Sequence, residues 1–253
     1  MHFTDQLHRT LFLPNPPQRI ISLVPSQTEL LVDLGLEDRI VGITKFCIHP
    51  SRLRKSKTIV GGTKNYRMEV IDSLQPDLIL GNKEENDQKG IEELTKKYPV
   101  WMSDIFNLED ALDMIGKVGD ITESKKKAQE IIQRIENSFA ENISIKGTCV
   151  YLIWNNPIMV AGKNTFIGDM LERAGFQNLV EKERYPELSL EEVRDLNPEF
   201  LLLSSEPFPF KEKHIQEFQN FLPKTKILLV DGELFSWYGS RLLKSSYYFE
   251  YIV

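Results

Sequence analysis

The sequence predicts an α/β fold made of two Rossmann-like lobes joined by one long backbone helix. Three observations predict it. The stretch ITESKKKAQEIIQRIENSFAEN near the middle of the chain reads as a helix over Thr122 to Asn142, because Ala128, Ile131, Ile132, Ile135 and Phe139 recur at helical spacing and form one apolar stripe. Short apolar runs alternate with helical segments on both sides of it, as in stacked βαβ units. The two halves also echo each other: with Pro76 aligned to Pro198, Glu69 coincides with Glu191, Ile71 with Val193, Leu74 with Leu196, and Asp77 with Glu199.

Taken in order, residues 1–18 are polar and proline-rich and read as a lead-in arm; 19–120 make the first lobe, 121–145 the linking helix and 146–253 the second lobe. Arg19 to Val24 is a continuous apolar run suited to a buried parallel strand, which Pro25 ends. Ser26-Gln27-Thr28-Glu29 has the form of a capping box, with Ser26 as N-cap, and Gly35 closes that helix in the left-handed conformation. Further strands are expected at Arg39 to Ile43, Leu78 to Leu80 and Val100 to Met102, with Asn107 capping a helix over Leu108 to Val118. Thr122 is the expected N-cap of the linking helix. In the second lobe the strands fall at Thr148 to Ile153, Ile158 to Ala161, Phe200 to Leu203 and Ile227 to Val230. Thr165 caps a helix there, Ser189 to Glu192 forms a second capping box, and a closing helix carries Tyr247, Tyr248, Phe249 and Tyr251.

Composition narrows the function. With 253 residues and 41% hydrophobic content, the chain can bury its core as one or two domains. No run reaches the roughly 18 uncharged apolar residues that a membrane span needs. The start, MHFTDQLHRTLFLPNPPQ, shows no basic segment followed by an apolar one, so no export signal is visible. A formal net charge of -6 argues against a nucleic-acid partner, since neutralising phosphates takes a concentrated basic face. Lys125 to Lys127, the one basic triplet, reads as a solvated helix face. Cys47 and Cys149 lie in different halves and read as separate thiols.

The motifs of several enzyme classes are absent: there is no G-x-S-x-G, phosphate loop, G-x-G-x-x-G, H-E-x-x-H or C-x-x-C. His2 and His8 lie in the arm and His214 begins a helix, which leaves His49 alone at a strand exit; with Cys47 it makes two ligands and no metal site. No catalytic residue and no metal-ligating set is therefore assigned. What gathers at the strand exits is aromatic and amide: Phe46, Trp154, Asn155, Phe208, Phe210, Phe235, Trp237 and Tyr238. Rings with a few polar anchors suit a cleft between the lobes that grips a bulky, partly flat ligand, although any one of them also suits a core. Arg241 fits either a ligand carboxylate or phosphate, or a salt bridge at a helix start.

Four stretches carry a family resemblance: RIISLVPSQTELLVDLGLEDRIVGIT, VGGTKNYRMEVIDSLQPDLIL, NPIMVAGKNTFIGDMLERAGFQNLV and YPELSLEEVRDLNPEFLLLSSEP. Together they resemble the substrate-binding proteins of ABC importers, in the class with a helical backbone between lobes, whose ligands are cobalamin, haem and ferric siderophores. The cobalamin branch is the nearest in flavour. The resemblance implies that Glu69 and Glu191, one on each lobe's outer tip, pair with arginines of a membrane permease. It places ligand contacts at Phe46, Trp154, Phe235, Trp237, Tyr238 and Arg241. It further implies no enzyme activity, no cofactor beyond a corrinoid or other metal-chelate ligand, a monomer, and a periplasmic or cell-envelope location; the central helix, which resists wide hinge closure, implies lobes that move little when the ligand enters. The cobalamin branch has an aromatic after the strand matching Leu78 to Leu80, where this chain has Asn82. Two alternatives stay open: a haem or ferric-siderophore receptor whose Arg241 meets the ligand's acid groups, and a cytoplasmic α/β enzyme acting on tetrapyrroles or metals.

Overall fold

Short apolar runs become strands, with helices between them, in the computed structural model, which describes residues 1–140 and 144–253. The chain divides into two units: Met1–Ile105, Glu109–Ile135 and Tyr238–Arg241 make the first, and Phe106–Leu108, Glu136–Trp237 and Leu242–Val253 the second.

In the first unit, β1 (His2–Thr4) and β2 (Thr10–Phe12) pair as an antiparallel hairpin. After them come β3 (Ile20–Ser22), α1 (Pro25–Asp33), β4 (Ile40–Ile43), α2 (Leu53–Ser56), β5 (Thr58–Ile59) and α3 (Met68–Leu74). The chain continues through β6 (Leu78–Asn82), α4 (Gln88–Thr95), β7 (Val100–Ser103) and α5 (Leu108–Ile121) to α6 (Lys125–Phe139). The five strands β5-β4-β3-β6-β7 form one parallel sheet. Ile21, Leu23, Val60, Ile71, Ile79 and Met102 fill one of its faces. The arm is an ordered cover for the sheet edge: Gln6 N donates to Met102 O (3.1 Å), and Gln6 Oε1 accepts from Asp104 N (3.1 Å). This occupies the outer side of β7, which would otherwise present unpaired backbone.

The second unit contains β8 (Gly147–Trp154), β9 (Met159–Val160), α7 (Phe166–Arg173), β10 (Phe176–Asn178), α8 (Leu190–Leu196) and β11 (Phe200–Ser204). It is completed by α9 (Glu212–Phe221), β12 (Lys226–Val230), α10 (Glu233–Ser236) and α11 (Leu242–Tyr251). Its parallel strands run β10-β8-β11-β12, with β9 antiparallel on β8. This repeats the order β4-β3-β6-β7. The repeat extends to single bonds: Asp77 accepts from Gln18 N and Arg19 N (2.7 and 2.8 Å), and Glu199 accepts from Thr148 N (2.7 Å), so each acid ties the start of its sheet's central strand to the next one. Before each of them a left-handed residue, Gln75 (φ 44°) or Asn197 (φ 49°), ends a short helix ahead of proline.

Several local expectations give way. The linking helix starts at Lys125 and not at Thr122, because Thr122 Oγ1 donates back to Val118 O (2.7 Å) and Glu123 takes a positive φ of 58°, which separates α5 from α6. Its expected end at Asn142 lies outside the described residues. Ser26 is not an N-cap: Pro25 occupies the first turn of α1, Val24 precedes it, and no side chain caps the helix. The capping box at Ser189 and the cap at Thr165 form as expected. Tyr238–Arg241 packs with the first unit and Phe106–Leu108 with the second, each against its place in the chain. Among the described residues no helix is long and apolar enough to cross a membrane.

Candidate functional site

The carboxyl ends of a parallel sheet collect loops and helix starts, which is where open α/β folds place their ligands. In the first unit, Phe46 leaves β4 on a loop held by Lys45 N donating to Gly61 O (2.8 Å). The residue is 49% exposed. It lies over Gly62, where a Cβ would stand 3.4 Å from Phe46 Cε2, and the Lys45 ammonium is 4.9 Å from the ring centre. Cys47 beside it is buried against Thr28 (3.1 Å) and Thr44 (3.3 Å), and burial pushes its thiol up. That thiol is a packing group.

At the carboxyl ends of β3 and β6 lies a network of buried amides, of which sequence reasoning had singled out Asn82 alone and only for the aromatic it replaces. Gln27 Nε2 donates to Ser103 Oγ (2.7 Å), and Asn82 Nδ2 donates to the same oxygen (3.0 Å). Asn82 Oδ1 accepts from Glu84 N (2.9 Å) and Glu85 N (3.1 Å), while Asn86 accepts from Asn82 N and donates to Thr63 O. Asn82, where the resemblance expects an aromatic, is thus committed to shaping its own loop. Its signal in the sequence was the Asn82 to Asn86 spacing at a strand end, which is the form of an Asx turn.

Tyr238 and Arg241 also belong to this unit, and both are buried. Arg241 meets a protein carboxylate and not solvent: Nε and Nη2 donate to Glu29 at 2.7 and 2.9 Å, a two-pronged pair with both side chains about a tenth exposed or less. Of the two readings of Arg241, the ion pair is the one observed, and its partner lies far away in the chain.

In the second unit, Trp154 ends β8 with 39% exposure. Its Nε1 donates to Asn156 O (3.1 Å), and its ring meets Phe208 edge-on with centres 5.6 Å apart. Phe208 is itself braced by Phe210 (4.7 Å) and His214 (5.4 Å). Phe235 corrects the expectation of a ligand contact: it is fully buried between Tyr151 and Phe249, with ring centres 5.2 and 4.7 Å away. Trp237 is 7% exposed and donates from Nε1 to Glu206 Oε1 at 2.8 Å, where Ser236 Oγ donates as well. Burial holds the Glu206 carboxyl above the usual range, only partly offset by those two donors, with Glu233 and Asp231 adding to the rise. A groove of about 730 Å³ in the same unit runs past Phe106, Asn164, Thr165, Asp169, Asn178 and Glu181 and includes none of the expected ligand contacts. Glu69 and Glu191 are both exposed and occupy the second position of α3 and of α8, so the sequence echo is also an echo of position. Among the described residues no group of three or more His, Cys, Asp or Glu is placed to hold a metal ion.

Residues 20–228 match the family model described as Periplasmic binding protein. The chain is 24% identical over 265 residues to an uncharacterized ABC transporter substrate-binding lipoprotein of Bacillus subtilis, covering 95% of this chain and 81% of that one. It is 29% identical over 202 residues to the vitamin B12-binding protein of Vibrio campbellii, covering 76% of this chain and 73% of that one. Among solved structures, the periplasmic vitamin B12-binding protein of Vibrio cholerae superposes with a TM-score of 0.77 at 21% identity, over 94% of this chain and 96% of that one, which is a likeness of fold.

Proposed function

The chain belongs to the periplasmic binding protein family, as a substrate-binding protein of the ABC-importer class, and we propose that the ligand it captures is a corrinoid of the cobalamin type. The observation that carries the ligand proposal is that each unit leaves one large, braced ring open at the end of its sheet: Phe46 in the first and Trp154 in the second. A ring already held in place loses little entropy when a flat ligand covers it, so its area counts toward affinity. Trp237 and Tyr238 contribute through the little surface they retain, Arg241 acts by holding its segment, and Phe235 supports the core behind them.

Membership of this family implies a membrane permease as partner and a place in the cell envelope. We assign the permease contact to Glu69 and Glu191, because both are exposed first-turn acids at equivalent positions of the two units. An acid of this kind gains little from an exposed ion pair, but removing one partner of a pair desolvated at an interface costs about 2–5 kcal/mol. The protein acts alone as a monomer and without chemistry; its relatives are transport-associated binding proteins.

Absorbance titration against cyanocobalamin, haem and a ferric tris-catecholate tests the ligand. Saturable binding of cyanocobalamin in preference to the other two is the expected result. A haem or ferric-siderophore ligand is the second reading, and the observation in its favour is Asn82, an amide locked into its loop where a corrinoid site would have an aromatic. Preference for haem or the catecholate would establish that reading instead.

A further inference from the structure

Between α10, which is only four residues long, and α11, the chain runs through Trp237–Arg241 without regular structure. Three of the residues proposed to serve the ligand lie in these five positions. A segment with no helix or strand of its own holds its place only through what its side chains and backbone touch. Here each end is fixed by a carboxylate drawn from elsewhere in the chain.

At the amino end, Glu206 Oε1 accepts from Ser236 Oγ and Trp237 Nε1, both at 2.8 Å. Glu206 is itself confined: Ser204 Oγ donates to its carbonyl oxygen (2.5 Å), and a Cβ on Gly232 would come within 2.8 Å of Glu206 Cγ, so glycine's bare backbone makes room for the side chain. At the carboxyl end, Glu29 on α1 takes Arg241 in the two-pronged pair of 2.7 and 2.9 Å. Between the pins, Gly239 has a φ of +126°, and a Cβ there would stand 3.3 Å from Ser26 O and 3.6 Å from Leu30 Cβ. That backbone shape calls for glycine, and the segment packs closely on α1 there.

We infer that Glu29 and Glu206 are positioning residues: two buried carboxylates that pin the ends of Trp237–Arg241 and so preset this segment for the ligand. The inference rests on the reading of the chain as a ligand-binding protein. Neither acid touches the ligand in this account. Pre-organisation by supporting residues raises affinity because the cost of ordering the segment is met in folding and not in binding.

The test uses the full chain with Glu206→Leu, Glu206→Gln and Glu29→Gln, titrated with cyanocobalamin and with haem, below the thermal transition of each variant. In parallel, the indole N–H resonance of Trp237, assigned with Trp237→Phe, is followed in ¹H–¹⁵N spectra. Glu206→Leu should move that resonance and weaken binding about tenfold, equivalent to about 1.4 kcal/mol. Glu206→Gln, whose amide oxygen still accepts from Nε1, should bring the resonance back and recover affinity to within about twofold. Glu29→Gln should weaken binding about tenfold while leaving the Trp237 resonance in place, because it loosens the other end. Unchanged affinity in both Glu206→Leu and Glu29→Gln overturns the inference, as does a Trp237 resonance that ignores Glu206→Leu. Wild-type protein that binds neither probe, with the resonance still moved by Glu206→Leu, sinks the ligand reading and supports the pinned segment.

Discussion

Phe46 and Trp154 keep a large part of their rings in solvent while Phe235 is enclosed by Tyr151 and Phe249, so one substitution has different consequences at the three positions. Phe235→Ala should cost roughly 3–5 kcal/mol of stability, read from thermal or urea unfolding, as expected for a truncated core aromatic. Phe46→Ala and Trp154→Ala should leave the unfolding midpoint nearly in place and weaken ligand binding by about tenfold or more, as removal of a stacking anchor does. An unfolding loss at Phe46 equal to that at Phe235 would remove it from the site. Glu206 makes a prediction of a different kind. Burial raises its native pKa above the unfolded value, so the folded chain holds the proton to higher pH than the unfolded chain does. Stability then falls as pH rises from the ordinary glutamate value, about 4.3, through the raised native one. Glu206→Gln lacks this dependence, so its stability relative to wild type should increase across that window in urea titrations and level off above it.

At the scale of elements, capping shows how far a local pattern reaches. Ser189 and Glu192 bond reciprocally to each other's backbone at the start of α8, as their spacing predicts, and Ser189→Ala should cost about 1 kcal/mol in unfolding free energy. The same pattern at Ser26 to Glu29 fails, since Pro25 starts α1 and Gln27, Thr28 and Glu29 are engaged elsewhere. Gln27 reaches Ser103, Thr28 Oγ1 donates to Val24 O and lies 2.8 Å from Ser22 Oγ, and Glu29 holds Arg241. The motif was legible, but Gln27 and Glu29 were taken by partners far away in the chain and Thr28 by its own preceding turn. The start of α6 was missed for a more local reason: Thr122 caps backward onto α5, and the left-handed Glu123 gives no signal in its residue type.

At the scale of the whole molecule, two halves with the same strand order carry an exposed glutamate at the same helical position, and this repetition predicts a shared task. In a reconstituted importer, the double variant Glu69→Ala with Glu191→Ala should abolish uptake while ligand affinity, read by absorbance titration, stays at the wild-type value. A fall in affinity would show that these acids serve the ligand and not the permease. Each single substitution should lower uptake less than the pair, because one desolvated anchor of about 2–5 kcal/mol remains in place.

Apolar periodicity, the internal echo from Glu69 to Glu191 and the acids after Pro76 and Pro198 were enough to specify two related α/β halves, while their matching strand order came from the structure. All of these are short-range patterns that the backbone obeys wherever the segment ends up. Which rings at the strand ends stay in solvent, and which carboxylate meets Arg241, was decided by the tertiary structure alone. Glu29 and Arg241 are 212 residues apart in the chain, and only folding removes enough water around them to make one partner matter more than every other acid in the sequence.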